Sequence, residues 1–446
     1  MTGDHGLEAT TSALTLNEKE VEPKHRAPFG SRFLTDGQDV WSHNAWDRVP
    51  PPDDQDEIVV AAMAKQRSLP VSEEEKAKIN AKPSRNWDNF YKNNANNFFR
   101  DRNWCIQSNL SVSPRINWLA LPCRLSIEFP EAVAATTADA GPMTVAEIGC
   151  GAGNTVFPLL AMNKNPHLSL RAYDYSPHAV KLVQRNPAYE SPPMGDIKAG
   201  VWDLSSDQLP GDLEPESVDI AVFIFVLSAL HPNEWFNAMK NVHRMLKPGG
   251  LLLLRDYGRH DLAQLRFKTK RLLEDNFYIR GDKTRVYFFE TDELALLFSG
   301  ASAPPESYTI SAQPVVVEEL ERDVETPSKD VTPAIETPLE SMTQSDPPVT
   351  SELAGHEDSA GERPPSPPDY SDPRAKFGAL HPNFKSQAFL DIPHPLFEVV
   401  VLAPDRRLLV NRKRQLKMYR IWMQGKFRKI VQHDAFGGEN RVVETV

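Results

Sequence analysis

The sequence predicts a Rossmann-like α/β fold: a doubly wound, mostly parallel sheet with terminal antiparallel strands and a long disordered insert. Three observations lead there. From residue 144 onward the apolar runs "TVAEIGC", "LSLRAYDYS", "SVDIAVFIFVLS" and "GLLLLRDYG" are each followed by a segment of helical period. The first run enters "EIGCGAG", where glycines recur at alternate positions before a helical pattern begins. Near the C-terminus, "HPLFEVVVLAPDRRLLVNRKRQLKMYRIWMQGKFRK" has near-alternating Val, Leu, Tyr, Ile and Trp, the mark of closing strands.

Taken in order, residues 1–80 read as a largely flexible extension with one aromatic-spaced block at 28–50, "FGSRFLTDGQDVWSHNAWDRV". The stretch "NWDNFYKNNANNFFRDRNW", Asn86 to Trp104, sets aromatics among basic and amide residues on an expected helix. Residues 81–300 form the first part of the α/β domain, 301–394 the insert, 395–432 the basic closing strands and 433–446 a tail. The insert is read from composition. Residues 301–370 hold 15 Asp and Glu against 3 Lys and Arg, together with 12 of the 38 prolines. Such a segment buries too little apolar surface to offset the entropy of ordering.

Charge and composition also limit partners. The chain carries a net charge of −11, but residues 301–370 alone carry −12, which leaves the other 376 at +1. A polyanionic partner is therefore compatible with the folded part. The longest apolar run, Ile220 to Leu230, is far short of the roughly 20 residues of a membrane span, so no membrane association is expected. The N-terminus has neither a secretory nor a mitochondrial leader pattern, which places the chain in the cytoplasm, with the nucleus also open. Cys105, Cys123 and Cys150 are too few and too scattered for a disulfide framework or a four-ligand zinc site, so no metal is expected.

The glycine turn raises the question of which nucleotide it serves. Dinucleotide folds use G-x-G-x-x-G, with pyrophosphate on a helix N-terminus. Here Glu147, Gly149, Gly151 and Gly153 spell E-x-G-x-G-x-G. An acid ahead of evenly spaced glycines suits a nucleoside with an amino-acid tail and no phosphate, namely S-adenosyl-L-methionine. Asp174 ends the second strand, where a carboxylate accepts both ribose hydroxyl hydrogens. Asp203 in "AGVWDLSS", or the adjoining Leu204 backbone, is placed to meet the adenine amine. Ile224 lies at the end of the "DIAVFIF" strand, and "MLKPGGLLLLRDYG" closes a helix before the next.

Three further blocks concern the acceptor. "FVLSALHP", "LLLRDYGRHDLAQLRFK" with "NFYIRGDKTRVYFF", and "RRLLVNRKRQLKMYRIW" resemble the tRNA 3-methylcytidine methyltransferases, over roughly residues 28–50, 85–300 and 395–430. The block at 28–50 resembles the branch associated with threonine tRNA. The resemblance implies a class I methyltransferase that forms 3-methylcytidine at position 32 of the anticodon loop. It implies a cofactor pocket of Trp87, Tyr91, Gly149, Asp174, Asp203, Leu204 and Ile224. Asn103 stands where some relatives have histidine and is left outside the site. A helper protein, such as an aminoacyl-tRNA synthetase or a tRNA-binding adaptor, is compatible with the family.

The chemistry agrees with that resemblance. N3 of neutral cytosine carries an in-plane lone pair and attacks a sulfonium methyl group without losing a proton, so alignment outweighs base catalysis. The base becomes a cation, and Asp256 in "RDYG" is the candidate carboxylate for that charge; an ion pair with Arg255 or Arg259 is its alternative role. His231 reads as a turn residue. N3 is blocked in a paired cytidine, so the substrate base must be unpaired. Arg406 to Lys429 carries ten basic residues and no acid, interleaved with Tyr419, Trp422 and Phe427. From this stretch Arg412, Lys413, Arg414, Lys417 and Arg420 are the candidate RNA contacts. A protein or small-molecule methyltransferase, or a non-catalytic RNA-binding subunit, remain the competing functions.

Overall fold

A computed structural model describes residues 33–94, 129–304, 307 and 380–430. By contacts the chain divides into Met1–Val315 with Ala379–Val446, and Val316–Gly378; every described residue belongs to the first unit. Residues 1–32, 95–128, most of the insert and everything from 431 onward lie outside the described residues, and so do the expectations for Asn103, Cys105 and Cys123.

In chain order the strands are β1 (Ala45–Asp47), β2 (Met143–Ile148), β3 (Leu168–Asp174), β4 (Asp196–Val201), β5 (Val218–Ile224) and β6 (Leu246–Tyr257). Then come β7 (Leu272–Glu274), β8 (Phe277–Ile279), β9 (Arg285–Tyr287), β10 (Phe397–Asn411) and β11 (Leu416–Lys429). The helices are α1 (Gln55–Ser68), α2 (Glu73–Asn80), α3 (Pro83–Asn94), α4 (Pro130–Ala134), α5 (Val156–Met162) and α6 (Pro177–Gln184). They continue with α7 (Pro187–Glu190), α8 (Trp235–Met245), α9 (Leu262–Leu265), α10 (Thr291–Ser299) and α11 (Gln387–Leu390).

Eight strands make one sheet in the order β1-β10-β11-β6-β5-β2-β3-β4. The five from β6 to β4 are parallel; β11 runs antiparallel to β6, β10 to β11 and β1 to β10. The expected parallel sheet with antiparallel closing strands is thus the observed one. Its inner strands read as continuous apolar runs because both faces are covered. Along β5, Ile220 and Val222 enter one core cluster while Ala221 and Phe223 enter the other. Strand order reverses at β2, which lies between β3 and β5, and the crevice outside the carboxyl ends at such a switch point is where α/β sheets bind ligands.

Two expectations are corrected. Residues 33–80 are not a loose extension: β1 pairs with β10, Trp46 is fully buried with Nε1 donating to the Val40 carbonyl at 2.8 Å, and Gln66 is buried against the Gln264 carbonyl. The final part of the assigned insert, 380–394, is also folded. Phe384, Phe389 and Ile392 join the main core, and the His381 backbone N–H donates to buried Glu293. Composition concealed both because a few well-spaced apolar residues were averaged with polar neighbours.

Candidate active site

The loop after β2 has a shape that only glycine supports at two positions. Gly149 and Gly151 have φ of +65° and +54°. A Cβ on Gly149 would lie 2.5 Å from the Val226 side chain, and one on Gly151 would collide with the Tyr91 hydroxyl. Close packing and left-handed backbone both forbid a side chain there. Glu147 anchors the loop from beneath: its Oε2 accepts the N–H groups of Thr155 and Val156 at 3.3 and 2.9 Å. Burial raises its pKa to about 7 against those hydrogen bonds. The start of α5, where a dinucleotide's pyrophosphate would sit, is therefore occupied by the protein's own carboxylate.

Asp174, at the end of β3, reaches across to the same loop. Its Oδ2 accepts from Gly151 N at 2.9 Å and its Oδ1 from Ser176 N at 2.8 Å, while burial raises its pKa to about 6. Helix α3 closes over this junction. Trp87 stacks on Tyr91 with ring centroids 6.1 Å apart, and Phe90 and Tyr91 pack on Ala179 and Leu182 of α6. Asp88 latches α3 in place, accepting from Ser176 Oγ at 3.2 Å and His178 N at 3.0 Å. The "WDNFY" aromatics thus serve as helix core, and Tyr91 also packs on Gly151 of the glycine loop.

The remaining cofactor candidates extend outward. Asp203 is exposed and accepts from Ser205 N and Oγ; Leu204 is buried, its carbonyl taken by Asn241 at 2.8 Å. Ile224 is half-buried at the end of β5, two residues before the Val226 that packs on Gly149. Sequence reading did not select Tyr175, whose buried hydroxyl has no hydrogen-bond partner among the described residues and feels the charges of both Asp174 and Asp203. Its place directly after Asp174 was the available signal. Asp88 was equally visible but is not distinguishable by type from a solvent-facing helix acid.

Asp256 is fully buried at the end of β6, with Oδ2 accepting from Ser228 N at 2.9 Å and Oδ1 from Tyr257 N at 2.8 Å. Burial raises its pKa to about 6, and Arg280 is among the groups that oppose the rise. The alternative ion pairs are made elsewhere: Arg255 pairs with Asp405 and Arg259 with Glu290. Asp256 therefore ties β6 to the "LSALHP" turn. His231 caps the short 3-10 helix Pro232–Glu234 through Asn233 N.

Of the five RNA candidates, Arg412, Lys413, Arg414 and Lys417 are exposed around the turn between β10 and β11. Arg412 donates to the Ser42 carbonyl, and Lys417 lies 5.7 Å from the Trp41 ring centroid, so the turn abuts the N-terminal block. Arg420 does not share this surface. It is 9% exposed, donates to Asp261 at 2.8 Å and lies over the Trp422 ring. Asp261, which follows β6 and caps α9, draws it inward. Arg407, Lys426 and Lys429 are likewise buried against carboxylates, so the basic run divides into surface charge and internal ion pairs.

Together, the glycine cradle, the buried Asp174 carboxylate beside it, the packing of Tyr91 on Gly151 and the Tyr175 hydroxyl, unpartnered among the described residues, fit S-adenosylmethionine. The capped α5 excludes a phosphate at that helix start. Fold and site define an S-adenosylmethionine-dependent methyltransferase of class I, and a family model for a methyltransferase domain matches residues 146–252. The chain is 48% identical over 273 residues to the tRNA(Thr) (cytosine(32)-N(3))-methyltransferase of Saccharomyces cerevisiae, covering 61% of this chain and 40% of that one. It is 42% identical over 284 residues to the tRNA N(3)-methylcytidine methyltransferase of Schizosaccharomyces pombe, covering 64% and 84%. Against the tRNA N(3)-cytidine methyltransferase METTL2 of Danio rerio it is 40% identical over 301 residues, covering 64% and 82%. The chain belongs to the tRNA N(3)-methylcytidine methyltransferases.

Proposed function

We propose that the protein transfers a methyl group from S-adenosylmethionine to N3 of cytidine 32 in the anticodon loop of tRNA, with threonine tRNA the principal substrate. The observation that carries this reading is the 48% identity to a relative named for that position and that tRNA. The intact cofactor site argues against a non-catalytic subunit. A protein or small-molecule acceptor leaves the exposed cations of the β10–β11 turn without a purpose.

When bound, S-adenosylmethionine supplies an electrophilic methyl group on sulfonium. The chain's own residues bind and orient. Asp174 accepts the ribose hydroxyls, Trp87 and Tyr91 wall the pocket, Asp203 and the Leu204 backbone N–H face the adenine edge, and Ile224 supports it. Cytosine N3 forms the new N–C bond with its lone pair as the C–S bond breaks, and no proton leaves. Asp256, ionised above about pH 6, contributes negative charge beneath the base as it turns cationic. Arg412, Lys413, Arg414 and Lys417 hold phosphates. A helper protein, a synthetase or tRNA-binding adaptor, adds selection among tRNAs that four surface cations do not provide, and the cytoplasm, with the nucleus, is the proposed place of action.

The test incubates purified protein, labelled S-adenosylmethionine and unmodified total tRNA, then identifies the methylated nucleoside and its tRNA. Label in 3-methylcytidine of threonine tRNA is expected. Label in another nucleoside, or in protein alone, overturns the reading. Recovery of activity only after adding cell extract identifies the helper requirement.

A further inference from the structure

Phe225 follows the last residue of β5 and has φ of +58°, a left-handed backbone that a bulky residue rarely adopts. Such conformations cost free energy and persist where they aim a functional group. This one is held on both sides. Phe225 N donates to the Arg255 carbonyl at 2.8 Å, and the next residue, Val226, packs against Gly149 of the cofactor loop. The turn sets the half-buried Phe225 ring 4.7 Å from the half-buried Tyr257 ring, tilted by 41°, at the ends of the adjacent strands β5 and β6.

Two charged groups attend this ring pair. The Arg280 guanidinium lies 5.3 Å from the Tyr257 centroid. Among the described residues its one side-chain hydrogen bond is a long contact of 3.5 Å to Thr284 Oγ1, and no carboxylate pairs with it. The Asp256 carboxylate, next to Tyr257 in the chain, accepts from Tyr257 N and Ser228 N. Aromatic faces attract cations, and Tyr257 already holds one. An unpaired base that becomes cationic on methylation gains from the same faces during the reaction.

We propose that Phe225 and Tyr257 form the acceptor subsite, taking the unpaired cytosine against their ring faces, with Arg280 pairing to the phosphate of that nucleotide. The inference rests on the tRNA reading above and names the residues that position its substrate. It explains why a strained aromatic is kept beside the glycine loop: the ring must stand where the base meets the methyl group. Arg280 meets the nucleotide's fixed negative charge, while the base, as it turns positive, lies on the rings near the Asp256 carboxylate.

The experiment uses the full chain with a threonine tRNA transcript, in single turnover, beside Phe225→Asn, Tyr257→Leu, Tyr257→Phe and Arg280→Ala. Asparagine tolerates the left-handed backbone, so Phe225→Asn keeps the turn and removes the ring. Loss of one base–aromatic stack predicts a rate lowered roughly tenfold or more in Phe225→Asn and Tyr257→Leu, with cofactor affinity by calorimetry within about twofold. Tyr257→Phe is expected to recover most of the rate lost in Tyr257→Leu. Arg280→Ala is expected to raise KM for tRNA and to flatten its salt dependence by about one phosphate contact. A transcript with pyrrolocytosine at position 32 gives an independent readout: wild-type protein changes its fluorescence on binding, and Phe225→Asn binds without that change. Rates for Phe225→Asn and Tyr257→Leu within twofold of wild type, while wild type methylates the transcript, overturn the subsite alone. No methylation of any tRNA by wild type, with or without cell extract, overturns the acceptor reading and the subsite with it.

Discussion

Asp174 carries two tasks in one carboxylate. It holds Gly151 and Ser176 through their backbone N–H groups, and its remaining lone pairs face the proposed ribose position. Asp174→Asn removes the charge and one acceptor oxygen, and loss of charge-assisted hydrogen bonds at roughly 1.5–3 kcal/mol each predicts at least a tenfold weaker cofactor affinity by calorimetry. Acid has a related effect. Burial makes the ionised form costly and raises the folded pKa to about 6, above the ordinary carboxylate range. Its stability contribution is therefore full below the unfolded pKa and lost as pH rises through about 6. Glu147 and Asp256, raised by burial to about 7 and about 6, have the same sign. Between pH 7.5 and 5, cofactor affinity is expected to fall, by about tenfold per unit once below 6, because the ribose requires the carboxylate. These three groups do not lower the Tm of the free protein over that interval. An affinity that is flat down to pH 5 would remove Asp174 from the ribose site.

The β10–β11 hairpin shows how one element separates similar side chains. Its turn exposes Arg412, Lys413, Arg414 and Lys417, while its body buries Arg407 and Arg420 about the Trp422 ring. Replacing Arg412, Lys413 and Arg414 together by Ala is expected to leave Tm and cofactor affinity in place and to weaken tRNA binding. Each lost phosphate contact lowers the slope of log K against log salt by about 0.7–0.9. Arg420→Ala is expected to act the opposite way. It strands Asp261, which is fully buried, and breaking a buried pair costs about 3–5 kcal/mol. Denaturant unfolding of Arg420→Ala reads that loss; an unchanged midpoint together with a reduced salt slope would return Arg420 to the RNA surface. Sequence reading grouped these cations because composition records charge, whereas strand direction and neighbouring acids decide its use.

At the scale of the molecule, the connection between Pro304 and Leu380 leaves and re-enters one hydrophobic cluster. Ala303 belongs to that cluster, Leu380 packs against it, and a Cβ on Gly300 would meet the His394 ring at 2.5 Å. Deleting Val316–Gly378 shortens the connection about sixfold, and loop-closure entropy assigns this roughly 1–2 kcal/mol in favour of folding. Equal or higher Tm and unaltered cofactor affinity are expected for the deleted chain. A fall in Tm of several degrees would show that the segment contributes contacts to the fold.

Much of the architecture was determined by sequence alone. Apolar strands alternating with helical segments specify a parallel sheet because both faces must be covered, and E-x-G-x-G-x-G specifies a turn without room for side chains. The blocks around "LSALHP" and "RDYG" placed the chain in its family. Other features depend on residues far apart in the chain. Trp46 is buried because β1 meets β10, and residues 380–394 are ordered because they complete a core begun before Gly300. Asp256 does not take up the alternative ion pair because Arg255 finds Asp405 across the closing strands and Arg259 finds Glu290. The left-handed turn of Phe225 has no local sequence signature: the ladder bond to Arg255 and the packing of Val226 on Gly149 impose it. Periodicity reports which residues avoid water, but partners are chosen only when the sheet brings distant strands together.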